Sequence, residues 1–433
     1  MLAGVSAFGL TNDRDAPVST RKDKEHVPVI AKNADEVRKL LKESSVDSIK
    51  CIDAGITEKD AAQFSEILRS QHGQSVKCSE LFLGANEINS EGVIKLMEAM
   101  KFKVRLRKLD LGANDICRRG AEEIAEVLKL PQCDLVMLNL SYNRIEDEGA
   151  NKIGDAIKAR AGSSSGKDKA EPLRELNLRM NAITADGLSI CDALREPSCH
   201  IASLNLSGNH LGDAGGERLA DALKWNTTLC FLDVSGTIQE PNVGAKGIEH
   251  IAHVLRMPNP SRQLSGGDLK QDNFNLQHLN LSYNDIDDEI GSVLAQELRF
   301  NYKLKHLVLK GNLLADAAGK AFAEMMCLNS VLKDIDLSQN FLGFAAGLQL
   351  AEMMKVNKGL MHVNLSGNKI GGKYAPPDKV QPGDKFAEAI FKCKSLNSLN
   401  LGGCGFLHDE EQKIFAEVKK KEVEGATVRV NVE

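Results

Sequence analysis

Histidine and aspartate are side chains that bind metals and exchange protons, and here four of them recur at one fixed spacing. His278, His306, Asp334 and His362 follow one another at intervals of 28 residues. A zinc site needs three or four ligands converging on one point. Residues repeated once per structural unit stand side by side along a ladder and rarely converge, so no metal site is expected. The file reads as a polar face, with a pH-sensitive contact surface as the sharper alternative. The segment GSSSGK at 162–167 invites a phosphate loop. It is one residue short of that motif, Asp168 stands where the hydroxyl belongs, and a helix precedes it instead of a strand, so a flexible linker is the better reading. His250, next to Glu249, and His253 stand i, i+3 on a helix but lack a third ligand, and these residues read as surface residues. The ten cysteines show no C-x-x-C spacing, as befits reduced, buried thiols; reactive thiols are not indicated. No Ser/His/Asp grouping or paired acids converge on one pocket. Catalytic residues, cofactors and enzyme activity are therefore not expected.

The interval between the histidines belongs to a repeat. The template L-x-x-L-x-L-x-x-N-x-I/L recurs with its Asn at 86, 114, 143, 181, 209, 284, 312, 340 and 368. Two further copies lack the Asn: Leu229-Leu232-Val234 leads to Thr237, and Leu396-Leu399-Leu401 leads to Cys404. A degenerate first copy runs through Ile49, Ile52 and Ile56, for twelve units in all. Alternating Leu-x-Leu makes a short strand with one buried face. The Asn sits where the chain turns and can bond backbone groups the turn leaves unpaired. The remainder of each unit has helical spacing and returns the chain, so each unit buries its apolar face only against its neighbours. Parallel strands stack about 4.8 Å apart and helices about 8–10 Å apart, which bends such an array. The expected fold is an α/β curved solenoid, a horseshoe with the parallel sheet concave and helices convex. Its organisation reads as a flexible segment 1–26, a capping helix within 27–45, repeats over 46–408, and a helix-strand cap over 409–433. Trp225 matches Phe300, Leu328 and Val356 in other units and reads as core. The lysines at 419–421 read as the wet side of the closing helix.

The 28-residue period and the strand–loop–helix unit resemble the ribonuclease-inhibitor-like class of leucine-rich-repeat proteins over nearly all of 46–432. That class includes inhibitors, sensor parts of innate immune receptors, Ran GTPase-activating proteins, actin-linked proteins and ciliary components. The resemblance implies a non-enzymatic scaffold that binds a protein on its concave face and rim loops, with a cytoskeletal or ciliary assembly the favoured setting. The alternative is a regulator of a small GTPase like the Ran GTPase-activating proteins. Against it, the place of that family's functional Asn holds Tyr142, and neither its functional Arg nor an acidic tail is found. No nucleotide-binding pattern precedes the repeats, which disfavours an immune sensor.

Composition agrees with a scaffold. The net charge of −5 gives no support to nucleic-acid binding. The start is too short and too soon polar for a secretory signal, and no apolar run could span a membrane. A cytoplasmic protein with a protein partner is expected. The middle positions of the strands, facing the hollow, hold Asp110, Asn139, Asn177, Asn205, Asp233, Asn280, Asp336 and Asn364. Beside them run His278, His306, Asp334 and His362 on one side, and Arg179 and Lys310 on the other. These fourteen residues are the candidate binding surface. Insertions at 162–171, 239–242, 257–274 and 371–383 decorate both rims and could bind or simply be tolerated. Basic residues gather at Arg299, Lys305, Lys310 and Lys333 and could steer an acidic partner.

Overall fold

The computed structural model describes residues 27–43, 46–70, 78–102, 104–162, 171–256, 275–376, 380–423 and 428–432. The expected flexible terminus 1–26, the loop weighed above for phosphate beyond its first residue, and the insertion 257–274 lie outside them. The described chain divides into two compact units, 1–209 with 225–230 and 210–224 with 231–433.

In the first unit a parallel sheet runs in chain order through β1 (Val29–Ile30), β2 (Ser48–Lys50), β3 (Glu80–Phe82), β4 (Lys108–Asp110), β5 (Met137–Asn139), β6 (Glu175–Asn177) and β7 (Ser203–Asn205). Between them lie α1 (Ala34–Lys42), α2 (Glu58–Ser70), α3 (Asn89–Lys101), α4 (Arg118–Leu128), α5 (Glu146–Gly162) and α6 (Ser189–Leu194). The second unit begins with α7 (Gly212–Leu223). Its strands are β8 (Phe231–Asp233), β9 (His278–Asn280), β10 (His306–Val308), β11 (Asp334–Asp336), β12 (His362–Asn364), β13 (Ser398–Asn400) and β14 (Arg429–Asn431), again parallel and in order. Its other helices are α8 (Ala245–Leu255), α9 (Asp288–Leu298), α10 (Asp316–Leu328), α11 (Phe344–Val356), α12 (Pro382–Lys392) and α13 (His408–Val423). The two leucines of each Leu-x-Leu are buried, and the helices cover them with buried residues of their own such as Leu294, Phe322 and Leu350.

The ladder asparagine ties each unit to the one before it. Asn312 donates from Nδ2 to the carbonyls of Leu309 in its own unit (2.9 Å) and Leu281 in the preceding one (3.1 Å). Its Oδ1 accepts the N–H groups of Asn284 (2.9 Å) and Ile286 (3.1 Å). Asn143 does the same for Leu140, Leu111, Asn114 and Ile116. The residue before the ladder Asn is left-handed: Tyr142 (φ 55°), Tyr283 (55°) and Gln339 (54°) hold it as well as Gly311 (68°). At Gly311 a Cβ would lie 2.2 Å from Cε1 of Tyr283, so the aromatic ring fixes glycine there.

Two further couplings follow the same period. At the helix ends Asn301, Asn329 and Asn357 are buried. Asn329 donates to the carbonyls of Leu298 and Asn301, and Asn357 to those of Met326 and Asn329. At the helix starts an acid of one unit caps the helix of the next. Asp288 accepts the N–H groups of Ala315 (2.7 Å) and Ala318 (2.9 Å), and Asp316 those of Gly343 (3.0 Å) and Ala346 (2.8 Å). A carboxylate there meets both the orphan amides and the positive end of the helix dipole.

Four expectations need correction. The second buried position of the first copy is Cys51; Ile52 is half-exposed. The copy at Thr237 does not lack its Asn: the chain loops out and Asn242 takes the ladder place, its Oδ1 accepting from Leu211 (3.3 Å) and its Nδ2 donating to Val234 (3.2 Å). Trp225 is 59% exposed, as are Phe300 (69%), Leu328 (53%) and Val356 (57%), because the buried position at each helix end is the following Asn. Lys421 is 6% exposed, its ammonium donating to the carbonyl of Cys393, so it is not on the wet side of α13.

Replacing Asn312 by Ala leaves two carbonyls and two amides of adjacent units without a buried partner. A loss of about 3 kcal/mol is expected, read as a lower urea midpoint with faster hydrogen exchange at the Asn284 and Ile286 amides. An unchanged midpoint would show that the ladder does not couple the units.

Candidate protein-binding face

On each strand the residues flanking the buried leucine point to the face opposite the helices. In the first unit the middle file holds Asp110, Asn139, Asn177 and Asn205 in register. These side chains are engaged with the chain itself. Each accepts the backbone N–H two residues on: Gly112 to Asp110 (2.9 Å), Ser141 to Asn139 (3.0 Å), Arg179 to Asn177 (3.0 Å) and Ser207 to Asn205 (2.9 Å). Asn139 also donates sideways to Asp110 (2.8 Å). Burial raises the Asp110 carboxyl above its ordinary range. Arg179 lies half-buried with its guanidinium 5.3 Å from the ring centre of Tyr142. The neighbouring file carries a charged row that the template did not single out. Lys108 pairs with Glu80 at 2.9 Å, and burial raises the carboxyl of Glu175.

The second unit follows the same rule. Asp233, Asn280, Asp336 and Asn364 accept the N–H groups of Ser235, Ser282, Ser338 and Ser366. Asn280 donates to Asp233 (3.2 Å) and Asn364 to Asp336 (2.9 Å). Lys310 sits 6.0 Å from the ring centre of Tyr283, whose hydroxyl donates to Gln339 (3.0 Å).

The histidine file is in register, His278 opposite His306, His306 opposite Asp334, and Asp334 opposite His362. The row starts one strand earlier than the even spacing showed. Phe231 stacks on His278 at 4.5 Å between ring centres, and His278 on His306 at 5.5 Å. The signal for Phe231 was its place before Leu232, hidden by the longer step to the next unit. His306 Nδ1 meets the Asp334 carboxylate, and His362 Nε2 stands 3.8 Å from its other oxygen. Burial, with the adjacent His306 next, lowers His278 to about 4. The row is a stack of flat groups along the strands, and among the described residues no group of three or more such side chains could hold a metal ion.

The Leucine Rich repeat family matches residues 133–154, 170–189, 198–220 and 272–295. With the in-order parallel strands and the Asn ladder, this decides the family. The chain is a leucine-rich-repeat protein of the ribonuclease-inhibitor-like type. It is 25% identical over 258 residues to NACHT, LRR and PYD domains-containing protein 14 of Mus musculus, covering 52% of this chain and 26% of that protein. It is 25% identical over 246 residues to the Ribonuclease inhibitor of Mus musculus, covering 52% of each. The chain thus spans about a quarter of the first relative and about half of the second. A solved structure, the yeast Rad7 and Elc1 complex, aligns with a TM-score of 0.43 at 13% identity, covering 86% of this chain and 79% of that one. Among the described residues of this leucine-rich-repeat protein, no helix is long and apolar enough to cross a membrane.

One thiol departs from the inert pattern expected of the cysteines. Cys117 is exposed at the start of α4, its Sγ 3.0 Å from the Ser90 hydroxyl. That contact, with backbone N–H groups of the first helical turn, lowers its pKa below the ordinary thiol value. Cys327 is also exposed, but desolvation and Glu324 raise it. Iodoacetamide near neutral pH should therefore label Cys117 before Cys327, as mapped by mass spectrometry; the reverse order would contradict this assignment.

Because folding weakens proton binding at His278, the unfolded chain carries more protons between about pH 6.5 and about 4. Stability is full above that window and falls as pH drops through it. His278→Phe, which keeps a ring on Phe231, should flatten this part of the urea-midpoint profile; a slope unaltered in the variant would assign it elsewhere.

Proposed function

We propose that this leucine-rich-repeat protein is a non-enzymatic scaffold whose strand face and rim loops hold a protein partner. The observation that carries the reading is the half-exposed file of the second unit, where His306, Asp334 and the exposed His362 stand on consecutive strands opposite the helices, with the half-buried Lys310 just after β10. Such a face offers charge of both signs and flat rings at a fixed spacing, which is what a second protein surface can match. The fourteen sequence-derived residues divide in their roles. The short acids and amides of the middle file shape the turns from below, while His306, His362, Lys310 and Arg179 present the contact chemistry. We place the protein in the cytoplasm, within a cytoskeletal or ciliary assembly, by analogy with other leucine-rich-repeat scaffolds.

The test is affinity purification of the native protein from its own cells with mass spectrometry of what stays bound. A reproducible stoichiometric partner is expected. Against that partner, Lys310→Glu with His362→Glu should weaken binding about tenfold or more, because neither side chain holds a backbone turn. Glu324→Lys on α10 should leave it unchanged. Equal binding by the strand-face variant would move the site to another surface. Acceleration of Ran-bound GTP hydrolysis by micromolar protein would replace the scaffold reading with that of a GTPase regulator.

A further inference from the structure

The second unit carries a basic and apolar edge that neither the core nor the strand face uses. Its four consecutive helix-to-strand connections, 299–305, 329–333, 357–361 and 393–397, hold Arg299, Lys303, Lys305, Lys333, Lys358 and Lys394 and no acidic residue, in a chain of net charge −5. The connections on the opposite edge mix signs, with Asp285, Asp287, Lys310 and Lys369. None of the six basic residues forms an ion pair among the described residues; Lys333 donates only to backbone carbonyls, Gly359 at 3.2 Å. Along the same edge Phe300, Leu328 and Val356 are each more than half exposed. The buried Asn301, Asn329 and Asn357 beside them bond one connection to the next, which fixes the three apolar side chains in one row. The row sits at the helix ends, where successive units are spaced by about 5–10 Å. That range covers the rise of one to two turns of an α-helix, about 5.4–10.8 Å.

We infer that this edge docks an acidic amphipathic helix of a partner protein, its apolar side chains meeting Phe300, Leu328 and Val356 and its carboxylates meeting the lysines. A single file of apolar groups with one sign of charge beside it is the complement of such a helix. Lys305 and Lys333 are half-buried at the strand starts, one step in from the rim. A flat bilayer would touch only the outer apolar groups, whereas a partner with relief reaches both.

The inference rests on the scaffold reading but not on the strand face. Random peptides of about 16 residues, long enough for about four helical turns, are displayed on phage and panned against the full chain at low salt. Enriched peptides should be net acidic with apolar residues three or four apart, and should weaken as NaCl rises from about 0.05 to about 0.5 M. They should bind the variant Phe300→Ser/Leu328→Ser/Lys333→Glu about tenfold more weakly. They should bind Lys310→Glu/His362→Glu as they bind the wild type, which separates this edge from the strand face. Enrichment without acidic excess, or equal binding to the edge variant, overturns the inference. So does adhesion to phosphatidylserine vesicles that the edge variant abolishes while no peptide binds, which would assign the edge to a lipid surface. Peptide binding seen only after deletion of 258–273 would make this chain's own insertion the occupant.

Discussion

The fold depends on one side chain used over and over, the asparagine at the end of each strand. A strand that stops after three residues and turns away leaves amides and carbonyls that neither sheet nor helix can satisfy, and burying them unpaired costs about 1–3 kcal/mol each. The Asn side chain carries one acceptor and two donors within one planar group. In Asn312 these serve carbonyls of two units and two amides of the preceding one. Aspartate would present oxygen to carbonyls, and leucine would present nothing. The same requirement explains the substitutes. Asn242 reaches the ladder place only because residues 237–241 loop out, and Cys404 fills it at the last repeat by donating from Sγ to Leu365.

Around that ladder the other couplings keep the same period. Asn301, Asn329 and Asn357 close the helix ends, and Asp288 and Asp316 open the next helices. The repeats between Asp288 and Asn357 are thereby hydrogen-bonded to their neighbours at three places besides the sheet. With these tasks done by buried or half-buried groups and by the middle file of the strands, some outward residues beside that file and at the helix ends are released from structural duty. The second unit uses that freedom twice: in the flat stack from Phe231 to His362, and in the basic edge with Phe300, Leu328 and Val356. The end of the array is closed differently. Glu410 is buried and accepts the N–H groups of Gly372 (2.9 Å), Gly383 (2.7 Å) and Leu407 (2.8 Å), pinning both ends of the last insertion to α13.

The sequence by itself determined the repeat, its strand–turn–helix order and the register of the strand files. Leucine alternation and the Asn spacing are local, periodic signals, and stacking identical units converts sequence period directly into spatial neighbours. That is why the spacing alone sets His278, His306, Asp334 and His362 side by side. Only the tertiary structure decided which outward residues are free. Asp110 and Asn139 look like a binding row in the sequence but spend their polar atoms on the chain's own turns. Trp225 and Lys421 exchanged places with expectation, the indole standing in solvent and the ammonium buried against Cys393. Phe231 joined the histidine row across an insertion that broke the spacing. Burial at the end of a helix depends on which of two adjacent residues the neighbouring unit accepts, and that is a fact about the neighbour's surface, not about the period of the chain.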